Sequence, residues 1–269
     1  MPPDPDPDRT RTAANLLHES IERREPFAPL PRECAPRDLE EAYAIQARLQ
    51  AMRAPALGPI VGWKIAGAAR SRTRMLGVDE PLRGGIHATQ VHRDRATLRA
   101  ADHVHLGVEC EIAIELGVDV PPGSRPVDGA QAARFVGRAC PAFEIVDDRF
   151  LQYPPPPRLV LDGVACNAGN AGLIVGAGMH DTTGLALGAL RAMLRVRGGF
   201  AGESTAHETA GDPLDTLAWL IRSLSSRGVP LPAGTLVSTG SLGPTRFLEA
   251  GEDAVLSIER LGEVRVTVV

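Results

Sequence analysis

Only four cysteines occur in the 269 residues, Cys34, Cys110, Cys140 and Cys166, and none stands in Cys-x-x-Cys spacing. That excludes a zinc ribbon and a thioredoxin-type redox pair, and it makes a reducing cytoplasm the expected location. A surplus of basic residues is also lacking. The formal net charge of -4 leaves nothing to neutralise a phosphate backbone, so nucleic acid is not an expected partner. No run of about 18 apolar residues occurs, and Met1 to Thr12 alternates Pro and Asp where a signal peptide has an apolar core. The expectation is a chain that neither spans a membrane nor is secreted by that route. Phosphate-loop, Gly-x-Gly-x-x-Gly and Gly-x-Ser-x-Gly signatures are missing, as is any repeat of fixed period. A small molecule is the expected partner.

Apolar residues make up 43% of the chain and charged ones 23%, enough for a sizeable core in one large domain or two small ones. Residues 1–12 read as a disordered tail and 13–59 as a helical segment. A first helix runs from Ala13, capped by Thr12, and a second from Asp38 to about Arg53. From Ile60 the texture changes to short apolar strands broken by Gly and Pro. Strands are expected at Ile60 to Ile65, Glu109 to Leu116, Phe143 to Val146, Leu173 to Val175, Ala189 to Val196 and Leu236 to Thr239. Ala254 to Glu259 and Glu263 to Val268 read as a hairpin turning at Leu261-Gly262. Helices interrupt them from Asp128 to about Arg138 and from Asp212-Pro213 to near Gly228. Tyr153 to Arg158 reads as a stiff loop. Without regular strand–helix alternation, the class is α+β with a strand-rich core over residues 60–269, rather than a Rossmann or TIM-barrel plan.

The chemistry concentrates in Gly107-Val108-Glu109-Cys110-Glu111-Ile112-Ala113-Ile114-Glu115. Strand side chains alternate faces, so Glu109 and Glu111 share one surface while Val108, Ile112 and Ile114 turn to the core. Glu144 sits in a second apolar strand. Three clustered, buried carboxylates cost several kcal/mol, on the order of that amount per ion, unless paired or metal-bound. A hard cation such as Mg²⁺ or Mn²⁺ suits an oxygen-only donor set better than zinc does. The alternative is a solvated face with an Arg or Lys nearby. Lys64, flanked by Trp63 and Ile65, is a candidate for proton transfer, or else a strand-end lysine reaching solvent along its own stem. Asp79, in Leu76-Gly77-Val78-Asp79-Glu80-Pro81, is a candidate to pair with Lys64 or to position water, or else simply caps backbone N–H groups of a turn. Asn167 lies in a small-residue loop, and Ser241 in Thr239-Gly240-Ser241 offers a hydroxyl to a substrate carboxylate. His207-Glu208 is the only sequence-local candidate for a base that activates water, although adjacent strand residues face opposite ways. His103 and His105 read as surface residues.

Taken in order, Gly62-Trp63-Lys64-Ile65, Leu76 to Pro81, Val108 to Ala113, Glu144-Ile145-Val146-Asp147, Asn167 and Thr239-Gly240-Ser241 resemble the 2-keto-4-pentenoate hydratase family. That family belongs to the fumarylacetoacetate hydrolase superfamily, and the similarity covers roughly residues 13–269. The resemblance implies a mixed β-sandwich-like roll preceded by helices and assembled into homo-oligomers. It implies Mg²⁺ or Mn²⁺ held by Glu109, Glu111 and Glu144, with Lys64 and Asp79 at the reaction centre and Asn167 and Ser241 against the substrate. The implied reaction is addition of water to a 2-hydroxy-2,4-dienoate or related 2-oxo acid, giving a 4-hydroxy-2-oxo acid. Decarboxylation, tautomerisation, C–C hydrolysis and a catalytically silent binding subunit remain alternatives. The chain departs from the family pattern at Ala66-Gly67-Ala68-Ala69, at Cys166 before Asn167, and over Glu203 to Asp212.

Overall fold

The computed structural model of the chain describes residues 6–69, 73–74, 76–126, 128–150 and 158–269. Helix α1 is Pro7–Glu22, opened by Asp6, whose carboxylate accepts from Arg9 N at 3.3 Å. The helix therefore starts at Pro7 rather than Ala13, and residues 7–12 are its first turns rather than a tail. Asp6-Pro7 is a capping residue followed by proline in the first turn, a local start signal that overrides the unfolded-looking composition. Helix α2, Leu39–Leu57, starts at Asp38 as expected, with Glu41 N donating to its carboxylate at 2.9 Å. Later helices are short α3 Gly129–Ala132, α4 Arg158–Ala165, short α5 Ala206–Thr209 and α6 Pro213–Ser225.

The strands are β1 Ile60–Ala66, β2 Leu82–His87, β3 Val91–Arg93, β4 Arg95–Leu98, β5 Leu106–Leu116, β6 Val136–Asp147 and β7 Asn170–Val175. They continue with β8 Ala192–Val196, β9 Gly199–Ser204, β10 Leu236–Ser241, β11 Arg246–Phe247, β12 Asp253–Ile258 and β13 Gly262–Val268. One sheet has the order β2-β1-β10-β5-β6-β7-β3, with β11 also pairing β5; the other has β4-β13-β12-β8-β9. The expected β12–β13 hairpin forms, pairing Ile258 with Gly262. The larger sheet is curled, because β2 packs beside β7 although four strands separate them in the order.

Two local expectations fail. The helix expected from Asp128 to about Arg138 shrinks to α3 and a 3-10 turn over Ala133–Phe135. Strand β6 takes over at Val136, because Arg138 lies opposite Glu115 on β5 and donates to its carboxylate at 2.7 Å. Pairing along the whole of β5 outweighs helix propensity there. The strand expected at Ala189 begins at Ala192, after a 3-10 turn over Leu187–Ala189. Of the stretch read as a stiff loop, Tyr153 to Arg158, residues 153–157 lie outside the described residues and Arg158 begins α4.

The outer face of the curled larger sheet is covered by two different partners, and its inner face lines the roll. Val108, Ile112, Phe143 and Ile145 interdigitate with Leu194, Leu256, Val264 and Val266 of the smaller sheet. Trp63, Ile65, Ile114 and Leu116 pack against Leu217, Leu220, Ile221 and Leu224, all four on the i, i+3/i+4 stripe that α6 buries. Helices α2 and α4 close one end over Leu82 through Ile45, Leu49, Val160 and Val164. Inside the roll only a small cluster remains, including Ile86, Ala113, Ala142 and Leu173. Asp212, which accepts from Leu214 N at 2.8 Å, caps α6. Asp212→Ala should lower unfolding stability by about 0.5–2 kcal/mol, read from urea midpoints at constant m-value.

Candidate metal centre

Strand alternation and the β5–β6 register build the centre. Glu109 stands directly opposite Glu144, and Glu111 is two residues further along the same face. One carboxylate oxygen from each of the three lies within 4.8 Å of the others. Glu111 and Glu144 are fully buried and Glu109 is half-buried. Like charges directly opposite on a sheet repel, so something must hold them. A shell of donors does part of this. Ser238 Oγ and Gly240 N donate to Glu111 Oε2 at 2.5 and 2.8 Å. Thr245 Oγ1 donates to Glu109 Oε1, and Asn170 Nδ2 to Glu144 Oε1 at 3.0 Å. The β5–β10 register shifts between Ser238 and Ser241, and Gly240 takes a φ of +114° there, which is how a hydroxyl and a backbone N–H reach the same oxygen.

Lys64 joins this cluster. It is 5% exposed, and its Nζ lies 3.4 Å from Glu144 Oε1 and 3.3 Å from the Ala168 carbonyl oxygen, to which it donates. Two strands separate β1 from β6 in the order, so in a flat sheet these backbones would stand about 14 Å apart. The curl closes that gap. Gly84, opposite Lys64 on β2, leaves room for the arm: a Cβ there would sit 3.2 Å from Lys64 Cε and 2.7 Å from Asn167 Oδ1. Burial pulls the Lys64 pKa down, but the charges of Glu144, Glu109 and Glu111 outweigh it and hold the ammonium form. Burial first, and then the charge on Glu144, push the Glu111 carboxyl well above its usual range.

The other expected residues stand further from the carboxylates. Asn167 is buried, but its amide is spent on the free edge of β2: Oδ1 accepts from Gly85 N at 2.8 Å and Gln50 Nε2 at 3.0 Å, and Nδ2 donates to Gly85 O at 2.9 Å. Ser241 lies opposite Glu111 in register, with its hydroxyl donating to Gly243 O at 2.7 Å. Asp79 is exposed in the turn before β2, with no hydrogen bond or ion pair to the described residues. His207 and Glu208 lie on α5 rather than on a strand. Glu208 accepts from Thr205 N at 2.9 Å in a capping box, and His207 Nε2 faces Asp212 at 3.4 Å. The Ser/Thr-x-x-Glu spacing of Thr205 and Glu208 is a helix-start signal, and it explains the difference.

The fumarylacetoacetate (FAA) hydrolase C-terminal model matches residues 80–269, most of the chain. The chain belongs to the fumarylacetoacetate hydrolase family. Like other relatives of this family member, a 2-keto-4-pentenoate hydratase of Paraburkholderia phymatum aligns end to end, at 30% identity over 97% of this chain and 98% of its own. A 2-hydroxyhexa-2,4-dienoate hydratase of Comamonas testosteroni is 29% identical over 93% of this chain and 94% of its own. The fold matches that of 4-oxalocrotonate decarboxylase from Pseudomonas putida G7, complexed with magnesium and adipate, with a TM-score of 0.86 at 21% identity over 98% of both chains.

In this fumarylacetoacetate hydrolase family member the donor set fits a divalent cation. Three carboxylates against one ammonium leave a formal charge of −2, and Glu111 Oε1 is buried with no hydrogen-bond partner among the described residues. Such an oxygen is costly unless a cation meets it. Sequence reasoning missed Ser238, Thr245 and Asn170, each of which orients one carboxylate. It also passed over a compositional signal: Lys64 is the only lysine of the chain, beside 28 arginines. Gly84-Gly85 inside a strand was a further sign of close approach. Glu111→Gln should weaken Mn²⁺ binding by roughly 100-fold or more, and Ser238→Ala by roughly 10–100-fold, both read from the free-Mn²⁺ electron paramagnetic resonance signal. With EDTA present, Glu111→Gln should raise the unfolding midpoint, since it removes a repelled buried charge.

Proposed function

We propose that the chain is a metal-dependent hydro-lyase that adds water to a 2-hydroxy-2,4-dienoate, or its 2-oxo-3-enoate tautomer, to give a 4-hydroxy-2-oxo acid. The observation that carries this reading is the convergence of Glu109, Glu111 and Glu144 on the single lysine inside the roll. The hydratase names of the full-length relatives support it. Glu109, Glu111 and Glu144 would hold Mg²⁺ or Mn²⁺, which supplies Lewis-acid stabilisation of negative charge on the C2 oxygen of a chelating 2-oxo acid. Ser238, Thr245 and Asn170 keep the three carboxylates aimed. Ser241, on the strand beside Glu111, would donate its hydroxyl to the substrate carboxylate in place of the Gly243 carbonyl.

Lys64 moves the protons. In the first half, the proton of the 2-hydroxyl leaves and one arrives at C5, giving the conjugated 2-oxo-3-enoate. In the second half, water oxygen bonds to C4, which the carbonyl at C2 makes electrophilic, and a proton is delivered to C3. An ammonium held by carboxylates is a competent donor to carbon, and it returns to that form by taking a proton from the added water. Asp79 is the proposed partner in this transfer. Asn167 supports from behind, fixing the β2 edge and the loop whose Ala168 carbonyl meets Lys64. The C–C hydrolase reading is disfavoured, because the capping box occupies Glu208. A homo-oligomer in the cytoplasm belongs to the same proposal; among the described residues no helix is long and apolar enough to cross a membrane.

Incubation of the purified protein with 2-hydroxy-2,4-pentadienoate and Mg²⁺ should give a product heavier by one water. Loss of carbon dioxide, an unchanged mass or two fragments would each replace the hydratase reading. Lys64→Arg keeps the charge but titrates far above neutrality, and should cut kcat by roughly 10²–10⁴-fold while the fold and Mn²⁺ binding persist. Asp79→Asn with undiminished turnover would remove Asp79 from the mechanism.

A further inference from the structure

On the face of β1 turned away from Lys64 lies a groove of about 830 Å³. Trp63 alternates with Lys64 along the strand and forms part of its floor. Ala44, Ala47, Ala51 and Ala54 of α2 form one wall, with Ile60 and Val229 opposite, so the lining is largely apolar. Two polar side chains in that lining each keep buried nitrogen atoms without a hydrogen-bond partner among the described residues. Arg83 is 6% exposed, yet its Nε and Nη1 have no hydrogen-bond partner among the described residues. His87, fully buried on the same face of β2, engages the Gly58 carbonyl through Nδ1 at 2.8 Å and leaves Nε2 unpartnered.

The surroundings of Arg83 hold a cation ready for an anion. Its guanidinium carbon lies 3.8 Å from the Tyr43 ring centroid, which covers one side of the cation while Nε and Nη1 keep no hydrogen-bond partner among the described residues. Arg227 approaches the same ring at 5.7 Å and adds positive charge. Two acidic groups bear on it and both are exposed: Glu40, which lines the groove, and Glu80, which accepts from Trp219 Nε1. A buried guanidinium without an acid partner is costly, and the usual compensation is an anionic ligand that also fills the apolar space.

We infer that this groove is a second ligand site, distinct from the carboxylate centre, which takes an elongated apolar monocarboxylate with its head on Arg83 and its body along the alanine face of α2. The claim is independent of the hydratase reading, since no residue lining the groove belongs to the metal centre.

Octanoate is the probe, with octanamide as its neutral counterpart. Binding is followed by calorimetry and by tryptophan emission, on EDTA-treated protein so that no metal ion captures the carboxylate. Octanoate should bind saturably at one site per chain and shift the emission, octanamide should bind at least tenfold more weakly, and Arg83→Met should lose at least tenfold in octanoate affinity. Ala51→Trp, which fills the groove from its exposed wall, should abolish binding and covers the case in which Arg83→Met fails to fold. Lys64→Arg and Glu111→Gln should bind octanoate as the parent does. Absence of saturable binding, equal affinity for the amide, affinity unchanged in Arg83→Met or Ala51→Trp, or loss of binding in the metal-centre variants would overturn the proposal. So would light scattering showing an oligomer that Ala51→Trp dissociates, because the occupant would then be a second copy of the chain.

Discussion

Glu109 facing Glu144 across the β5–β6 ladder is the constraint around which the structure is arranged. No favourable contact between the two carboxylates holds them there. The opposite faces of the same strands do, where Val108, Ile112, Phe143 and Ile145 are buried against the smaller sheet. A slip of one residue in register would drive the glutamates into that core and turn the apolar set toward the roll interior. Hydrophobic burial on one face thus fixes an electrostatic repulsion on the other. The repelled side is a site with a fixed shape and a charge deficit.

The residues around the carboxylates divide the work of tolerating them. Ser238, Gly240, Thr245 and Asn170 give hydrogen bonds that keep particular oxygens turned outward or inward, and each comes from a segment far from β5 and β6 in sequence or across a register shift. Lys64 supplies the single positive charge. Glu111 Oε1 is left without a hydrogen-bond partner among the described residues. That incompleteness separates this cluster from a structural ion-pair network such as Arg93 and Arg138 on Glu115, where two guanidiniums meet one carboxylate at the rim. A site for chemistry keeps a group unsatisfied, whereas a brace does not.

Strand β1 is a wall between two environments of different character. Toward the roll it presents Lys64 to three acids; away from it, it presents Trp63 to a largely apolar groove in which Arg83 Nε and Nη1 have no hydrogen-bond partner among the described residues. Asn167 bridges the two sides. Its amide imitates a neighbouring strand along the unpaired, buried edge of β2, accepts from Gln50 of the groove and precedes the carbonyl that receives Lys64. The residue read from sequence as a ligand contact also stands in for a neighbouring backbone, because the sheet ends at β2 and its edge needs a partner.

Much of the centre was legible in the chain. Period-two alternation alone put Glu109 and Glu111 on one face with Val108 and Ile112 on the other, and the Asp-Pro dipeptides carried the helix starts, Asp212-Pro213 being recognised and Asp6-Pro7 not. Ordered motifs carried the family. What no local pattern contained was the meeting of β1 with β6, the arrival of Ser238 and Thr245 on the glutamates, the exposed position of Asp79 and the α5 turn that occupies Glu208. Alternation and capping are properties of a few consecutive residues, so the sequence by itself determined which side chains share a face. The curl of a seven-strand path is a property of the whole sheet packing on its neighbours, and only the tertiary structure decided which of those faces close on one another.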